Sequence, residues 1–274
     1  MDVVLGCLQA QFERPPTRKF AWPIIILPEL FASSRHLTIM AGHLVSLGWE
    51  VYLLDVYTGL KRPGVIKQSG NVAFRHLLES IRSALDAIGS DVVAAGHGLG
   101  GLLALKSAER SRVRAAVALG PLIPGFHSPL LHRYRAGWFS LWEKPWLPSR
   151  RRMLELFSEA ETFQRQALIR ALTPMDTSAA EHVASGGVEF APNPTPRMII
   201  AGEADGFAPA HKAAEFAAKI DAQFIGLPGR GHWLVGGRAL ERIIAHMQRF
   251  LVQAVGEELL LLYEKEPNGS DAEQ

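Results

Sequence analysis

Asp91-Val-Val-Ala-Ala-Gly-His-Gly-Leu-Gly-Gly-Leu-Leu-Ala-Leu105 decides the fold. It opens as an apolar run, crosses a cluster of glycines and continues as an apolar helix former. That order predicts a strand over Asp91–Ala95, a sharp turn over Gly96–Gly101 and a helix over Gly101–Arg110. A strand with no polar alternation is buried on both faces, as in a parallel sheet. Ligands of such sheets bind at the carboxyl ends of the strands, so the glycine turn faces a candidate site.

The same rhythm extends outward. Strands are predicted at Pro23–Leu27, Trp49–Asp55, Val113–Leu119, Arg197–Ala201 and Ala222–Leu227. Helical spacing covers Ser34–Leu47, Asn71–Ile88, His211–Lys219 and Gly237–Val255. In Asn71–Ile88 the residues Phe74, Leu77, Leu78, Ile81, Leu85 and Ile88 share one face. Alternating β and α elements imply a doubly wound, mostly parallel sheet. From Pro121 to Pro196 there is no convincing strand, and Arg151–Leu172 has a helical pattern. We therefore expect a core of residues 1–120 and 197–263, with a helical insertion over 121–196. The polar, acidic stretch 264–274 is expected to be a disordered tail.

Composition narrows the function classes. Lys+Arg is 29 and Asp+Glu is 27, a net charge of +2, which leaves no footprint for nucleic acid or an anionic membrane. The single cysteine, Cys7, permits neither an intramolecular disulfide nor a cysteine-rich metal site. That fits a reducing, cytoplasmic setting. No apolar run has the length of a membrane span, and the acid at position 2 makes a poor signal peptide. The histidines form no His-Glu-x-x-His pattern, so neither a metal nor a cofactor is expected.

The glycine turn fits two patterns. Gly96, Gly98 and Gly101 match the dinucleotide fingerprint G-x-G-x-x-G, but the next strand ends Leu119-Gly120-Pro121 with no carboxylate for a ribose. Gly96-His97-Gly98-Leu99-Gly100 matches the frame G-x-S-x-G, with glycine at the serine position. Downstream lie Gly202-Glu203-Ala204-Asp205-Gly206-Phe207-Ala208-Pro209 and Gly229-Arg230-Gly231-His232-Trp233. With these segments the chain resembles the α/β-hydrolase superfamily over nearly its whole length, in the order elbow, acid, histidine. The resemblance implies an α/β-hydrolase fold with a helical cap inserted after the strand ending near Leu119. It implies Asp205 as the orienting acid and His232 as a general base. Asp205 also suits a turn former before Pro209, and His232 a loop histidine.

Gly98 cannot act as a nucleophile, so the acyl-enzyme route is excluded as written. Glycine relieves elbow strain of about 1–3 kcal/mol. The missing hydroxymethyl leaves space for a water that His232 would deprotonate, an effect of about 10²–10⁴-fold for a well-placed base. The resemblance implies the backbone N–H groups of Leu30 and Leu99 as oxyanion donors. Many relatives carry His-Gly after the first strand, where this chain has Pro28-Glu29. A Glu29 carboxylate in the hole would repel an oxyanion. It would also offer a second acid or base beside His232, for a hydrolase or lyase reaction, while the ordinary expectation for a glutamate is that it faces solvent or pairs with a nearby arginine. His97, Trp138, Trp142 and Trp233 are expected around the pocket, and Trp138 and Trp142 lie four apart on one helix face. The expected ligand is a small apolar or acyl molecule, such as an ester or thioester. A binding or scaffold protein with no turnover is the competing class, and the oligomeric state is open.

Overall fold

The computed structural model describes residues 1–57, 70–110, 112–131 and 146–260. Among them, eight strands form one sheet in the order β1-β2-β4-β3-β5-β6-β7-β8. The strands are β1 Asp2–Leu5, β2 Leu8–Glu13, β3 Ile24–Leu27, β4 Val51–Leu54, β5 Val92–His97, β6 Val113–Leu119, β7 Arg197–Gly202 and β8 Gln223–Leu227. All pairings from β4 onward across the sheet are parallel, while β1, β2 and β4 pair antiparallel. The fold is thus the mostly parallel α/β sheet expected from the repeating pattern. The antiparallel β1–β2 hairpin was not anticipated. Its residues alternate exposed and buried over only a few positions, too short a run for a periodicity signal.

Burial explains the central strands. Every residue of β3, β5 and β7 is buried, as helices covering both faces require. The flanking helices are α1 Thr38–Ser46, α2 Gly70–Ile88, α3 Leu99–Ser107, α7 Ala210–Lys219 and α8 Leu240–Leu259. Helix α2 buries Phe74, Leu77, Ile81 and Leu85, one face at helical spacing. Helix α3 is buried nearly all round, which is why its sequence reads as uninterrupted apolar residues.

Between β6 and β7 the described residues hold α4 Arg150–Leu156, α5 Thr162–Ala171 and α6 Ser178–Ala184. The single pattern expected over Arg151–Leu172 is therefore two helices. Ser149 caps the first, its side chain accepting from the Arg152 N–H. Arg165 bridges the break by donating to the carbonyls of Phe157, Ser158 and Ala160. Trp138, Trp142 and the tail 264–274 lie outside the described residues. No described helix is long and apolar enough to cross a membrane.

Candidate functional site

Five segments leave the carboxyl edge of the sheet side by side. They follow β3, β5, β6, β7 and β8. Register brings them level, with Leu27 opposite Gly96, His97 opposite Leu119 and Gly202 opposite Leu227.

The turn after β5 carries Gly98 at φ 55° and ψ −119°. That left-handed backbone disfavours residues with a side chain. A Cβ at Gly100 would run into the carbonyl oxygens of Leu27 and Pro28, so α3 lies close against β3. These contacts account for glycine at positions 98 and 100. The helix starts at Leu99, two residues earlier than spacing predicts.

Asp205 follows β7. Its Oδ1 accepts from the N–H groups of Phe207 (2.7 Å) and Ala208 (2.9 Å), and its Oδ2 lies 2.7 Å from His232 Nδ1. One oxygen thus serves the turn and the other meets the histidine.

Glu29 follows β3, and its side chain turns inward. Oε1 accepts from the N–H groups of Leu30 (2.6 Å) and Leu99 (3.1 Å), the two expected oxyanion donors. Oε2 lies 2.8 Å from His232 Nε2. A Cβ at position 98 would fall inside this carboxylate. The buried carboxylate thus occupies the space beside Gly98 and takes up both N–H groups.

The backbone that aims Glu29 is held from several sides. Tyr57, fully buried, donates to the Pro28 carbonyl at 2.8 Å. Phe31 sits at φ 70°, a strained conformation for an aromatic residue. Its N–H points at Met175 Sδ (3.2 Å), its carbonyl accepts from Thr173, and its ring meets Trp146 edge-on. Sequence reading missed Tyr57, Phe31 and Met175, because no local pattern marks a residue that braces a distant turn.

His97 is wholly buried behind Glu29. Its Nε2 lies 2.8 Å from the backbone carbonyl of His232 and so carries the proton. Its Nδ1 lies 3.8 Å from Glu29 Oε2 and has no hydrogen-bond partner. Trp233 packs edge-on against His97 and Phe157. Beside Gly98 a cavity of about 10 Å³ is bounded by Leu122, Ser128, Leu130, Leu131 and Phe207. Among the described residues it has room for about one water. Neither His97 nor Trp233, both expected around the pocket, is among the residues lining it.

The electrostatics follow from burial and pairing. Burial works against a charged His232, but the charge and hydrogen bond of Asp205, then those of Glu29, outweigh it and raise His232 to about 10. Burial likewise opposes ionisation of Glu29, yet His232, His97 and the Leu99 N–H together hold its carboxyl below the usual range. Burial and then the charge on His232 push His97 down to about 4. Both neighbours of His232 are carboxylates that accept, so its two ring nitrogens both donate.

A family model described as "Alpha/beta hydrolase family" matches residues 21–246. No curated protein matches the sequence. Solved structures share the fold at low identity. A monoacylglycerol lipase of Paleococcus ferrophilus is 17% identical, with TM-score 0.61, over 90% of this chain and 99% of that one. A thermophilic esterase from Thermogutta terrifontis is 17% identical, with TM-score 0.63, over 93% and 99%. A meta-cleavage product hydrolase from Pseudomonas fluorescens is 17% identical, with TM-score 0.60, over 94% and 97%.

Proposed function

The chain belongs to the alpha/beta hydrolase family, and from that premise we propose that it is an enzyme of this fold working without a serine and without an acyl-enzyme. Glu29 and His232 manage the protons of a water or small acyl or apolar substrate beside Gly98, and Asp205 orients His232. The observation that carries this reading is the buried chain Asp205–His232–Glu29, ending at both oxyanion donors and at a cavity for about one water.

The family's usual step fails here for two physical reasons. There is no side-chain nucleophile at Gly98, and the donors that would hold an oxyanion hold a carboxylate instead. The imidazole expected as a base carries protons on both nitrogens in this arrangement. It is therefore placed to donate to a leaving group or a developing alkoxide. Glu29 is the group with a lone pair to accept a proton. The apolar wall of Leu122, Leu130, Leu131 and Phe207 suits a small ester or thioester, or a substrate that loses a proton without hydrolysis.

The test compares wild type, His232→Ala and Glu29→Gln on p-nitrophenyl esters and acyl thioesters at high enzyme concentration. A fluorophosphonate probe is run alongside. Turnover that both substitutions abolish, with no probe labelling, supports the proposal. Turnover equal in all three proteins, or absent from all, supports a second reading, a pseudo-hydrolase that binds without turnover. The self-satisfied oxyanion donors favour that reading. Stoichiometric probe labelling of the wild type would contradict both.

A further inference from the structure

We propose that Glu29, His97 and His232 form a binding site for a divalent ion of the zinc class, with its fourth position open toward the cavity beside Gly98. Glu29 Oε2, His97 Nδ1 and His232 Nε2 all lie within 4.8 Å of one another, and all three residues are buried. Two imidazoles and one carboxylate are a donor set of catalytic zinc sites.

The independent observation is His97 Nδ1. It is buried, has no hydrogen-bond partner and faces Glu29 Oε2 across 3.8 Å. Its proton sits on Nε2, bound to the His232 carbonyl, so a lone pair confronts a carboxylate oxygen. A cation removes the repulsion. Buried groups left unsatisfied in this way are rare and need a cause.

The surroundings of the three donors are those of metal ligands. Such ligands are held from behind by partners that fix tautomer and orientation. His232 Nδ1 meets Asp205, His97 Nε2 meets a backbone carbonyl, and Glu29 Oε1 accepts from Leu30 and Leu99. Each ligand thus has one atom committed to the protein and a second within 4.8 Å of the other two donors. Charge agrees. Two carboxylates around one imidazolium carry a formal −1, and a divalent ion in place of the Nε2 proton makes the set neutral. Tetrahedral bonds of about 2.0–2.1 Å require donors roughly 3.4 Å apart. The 2.8 Å contact from Glu29 to His232 opens slightly on binding, and His97 moves in. The described cavity has room for about one water, which favours four ligands over the six of an octahedral ion.

The site stands on geometry. Its use in turnover rests on the proposed function only in placing serine-free hydrolysis at this site: with an ion bound, Glu29 and His232 are ligands, and a water on the ion replaces their proton transfers. A water on the ion releases a proton, and the remaining hydroxide adds to the acyl carbon. The bond to the alcohol or thiol breaks, and that leaving group takes up the proton.

The test uses the full chain. Metal content is measured on protein purified without chelator, and chelator-stripped protein is titrated with Zn²⁺ and with Co²⁺. About one zinc per chain, visible Co²⁺ bands of a four-coordinate site displaced by Zn²⁺, and a rise in melting temperature of about 5 °C are expected. Glu29→Gln and His97→Ala should lose stoichiometric binding. No Co²⁺ bands and no Zn²⁺ stabilisation in wild type would overturn the site without relying on any variant. Undiminished binding by folded His97→Ala would overturn it as well. Binding without turnover of the esters or thioesters supports the site and counts against the proposed function. Turnover unaffected by chelation, in protein that binds no Zn²⁺, does the reverse.

Discussion

The carboxylate of Glu29 occupies the space into which a side chain at position 98 would have to grow. The two positions are therefore coupled. Gly98→Ser alone adds a clash and a side chain at φ 55°, and should destabilise the chain by at least about 2 kcal/mol. It should remain unlabelled by a fluorophosphonate. Gly98→Ser with Glu29→Gly removes the clash and frees the Leu30 and Leu99 donors. That double variant should recover most of the lost stability and react with the probe. Thermal melts and gel labelling of the three proteins check the non-additivity.

Glu29→Gln keeps the shape of the side chain and removes its charge. The amide cannot serve the Leu30 and Leu99 N–H groups and His232 with acceptors on both sides, so one donor is left facing another. Breaking a buried pair from one side costs about 3–5 kcal/mol. Urea unfolding should report a loss of that order in metal-free protein. A loss below about 0.5 kcal/mol would place Glu29 outside the buried network.

Asp205→Asn separates the two roles of this residue. The amide oxygen can still accept from Phe207 and Ala208, while the amide nitrogen confronts the protonated Nδ1 of His232. Stability should fall by only about 1–3 kcal/mol. Any turnover should fall by up to about 10⁴-fold, the effect of the same change in a serine triad. Parallel melts and rate measurements distinguish this from a simple folding defect.

Tyr57→Phe removes one hydroxyl that donates to the Pro28 carbonyl. An orphaned buried carbonyl costs about 1–3 kcal/mol. Because Pro28 precedes Glu29, the substitution should also weaken Co²⁺ binding relative to wild type. Unchanged stability would mean that Tyr57 does not brace the turn.

Much of this molecule was readable from local patterns. The β and α alternation follows from apolar periodicity, which reports the conformation of a short segment directly. The frame around Gly98 and the roles of Asp205 and His232 came from resemblance to the α/β-hydrolase superfamily, carried by short glycine-bounded segments. Other features were not legible for stated reasons. The β1–β2 hairpin is too short to carry a period, and the break between α4 and α5 rests on an arginine reaching back to three carbonyls.

By itself the sequence determined a mostly parallel α/β sheet, and its resemblance to the α/β hydrolases implied Gly98 at the elbow position and a pairing of Asp205 with His232. Only the tertiary structure decided where Glu29 points. An exposed glutamate and one buried against the Leu30 and Leu99 N–H groups look the same in one dimension. The choice depends on Phe31 held at positive φ, on Tyr57 across the sheet, and on the empty Cβ position of Gly98. The meeting of Glu29, His97 and His232 is likewise a tertiary event. The glutamate and His232 are 203 residues apart, and no spacing rule spans loops brought together by the register of five parallel strands.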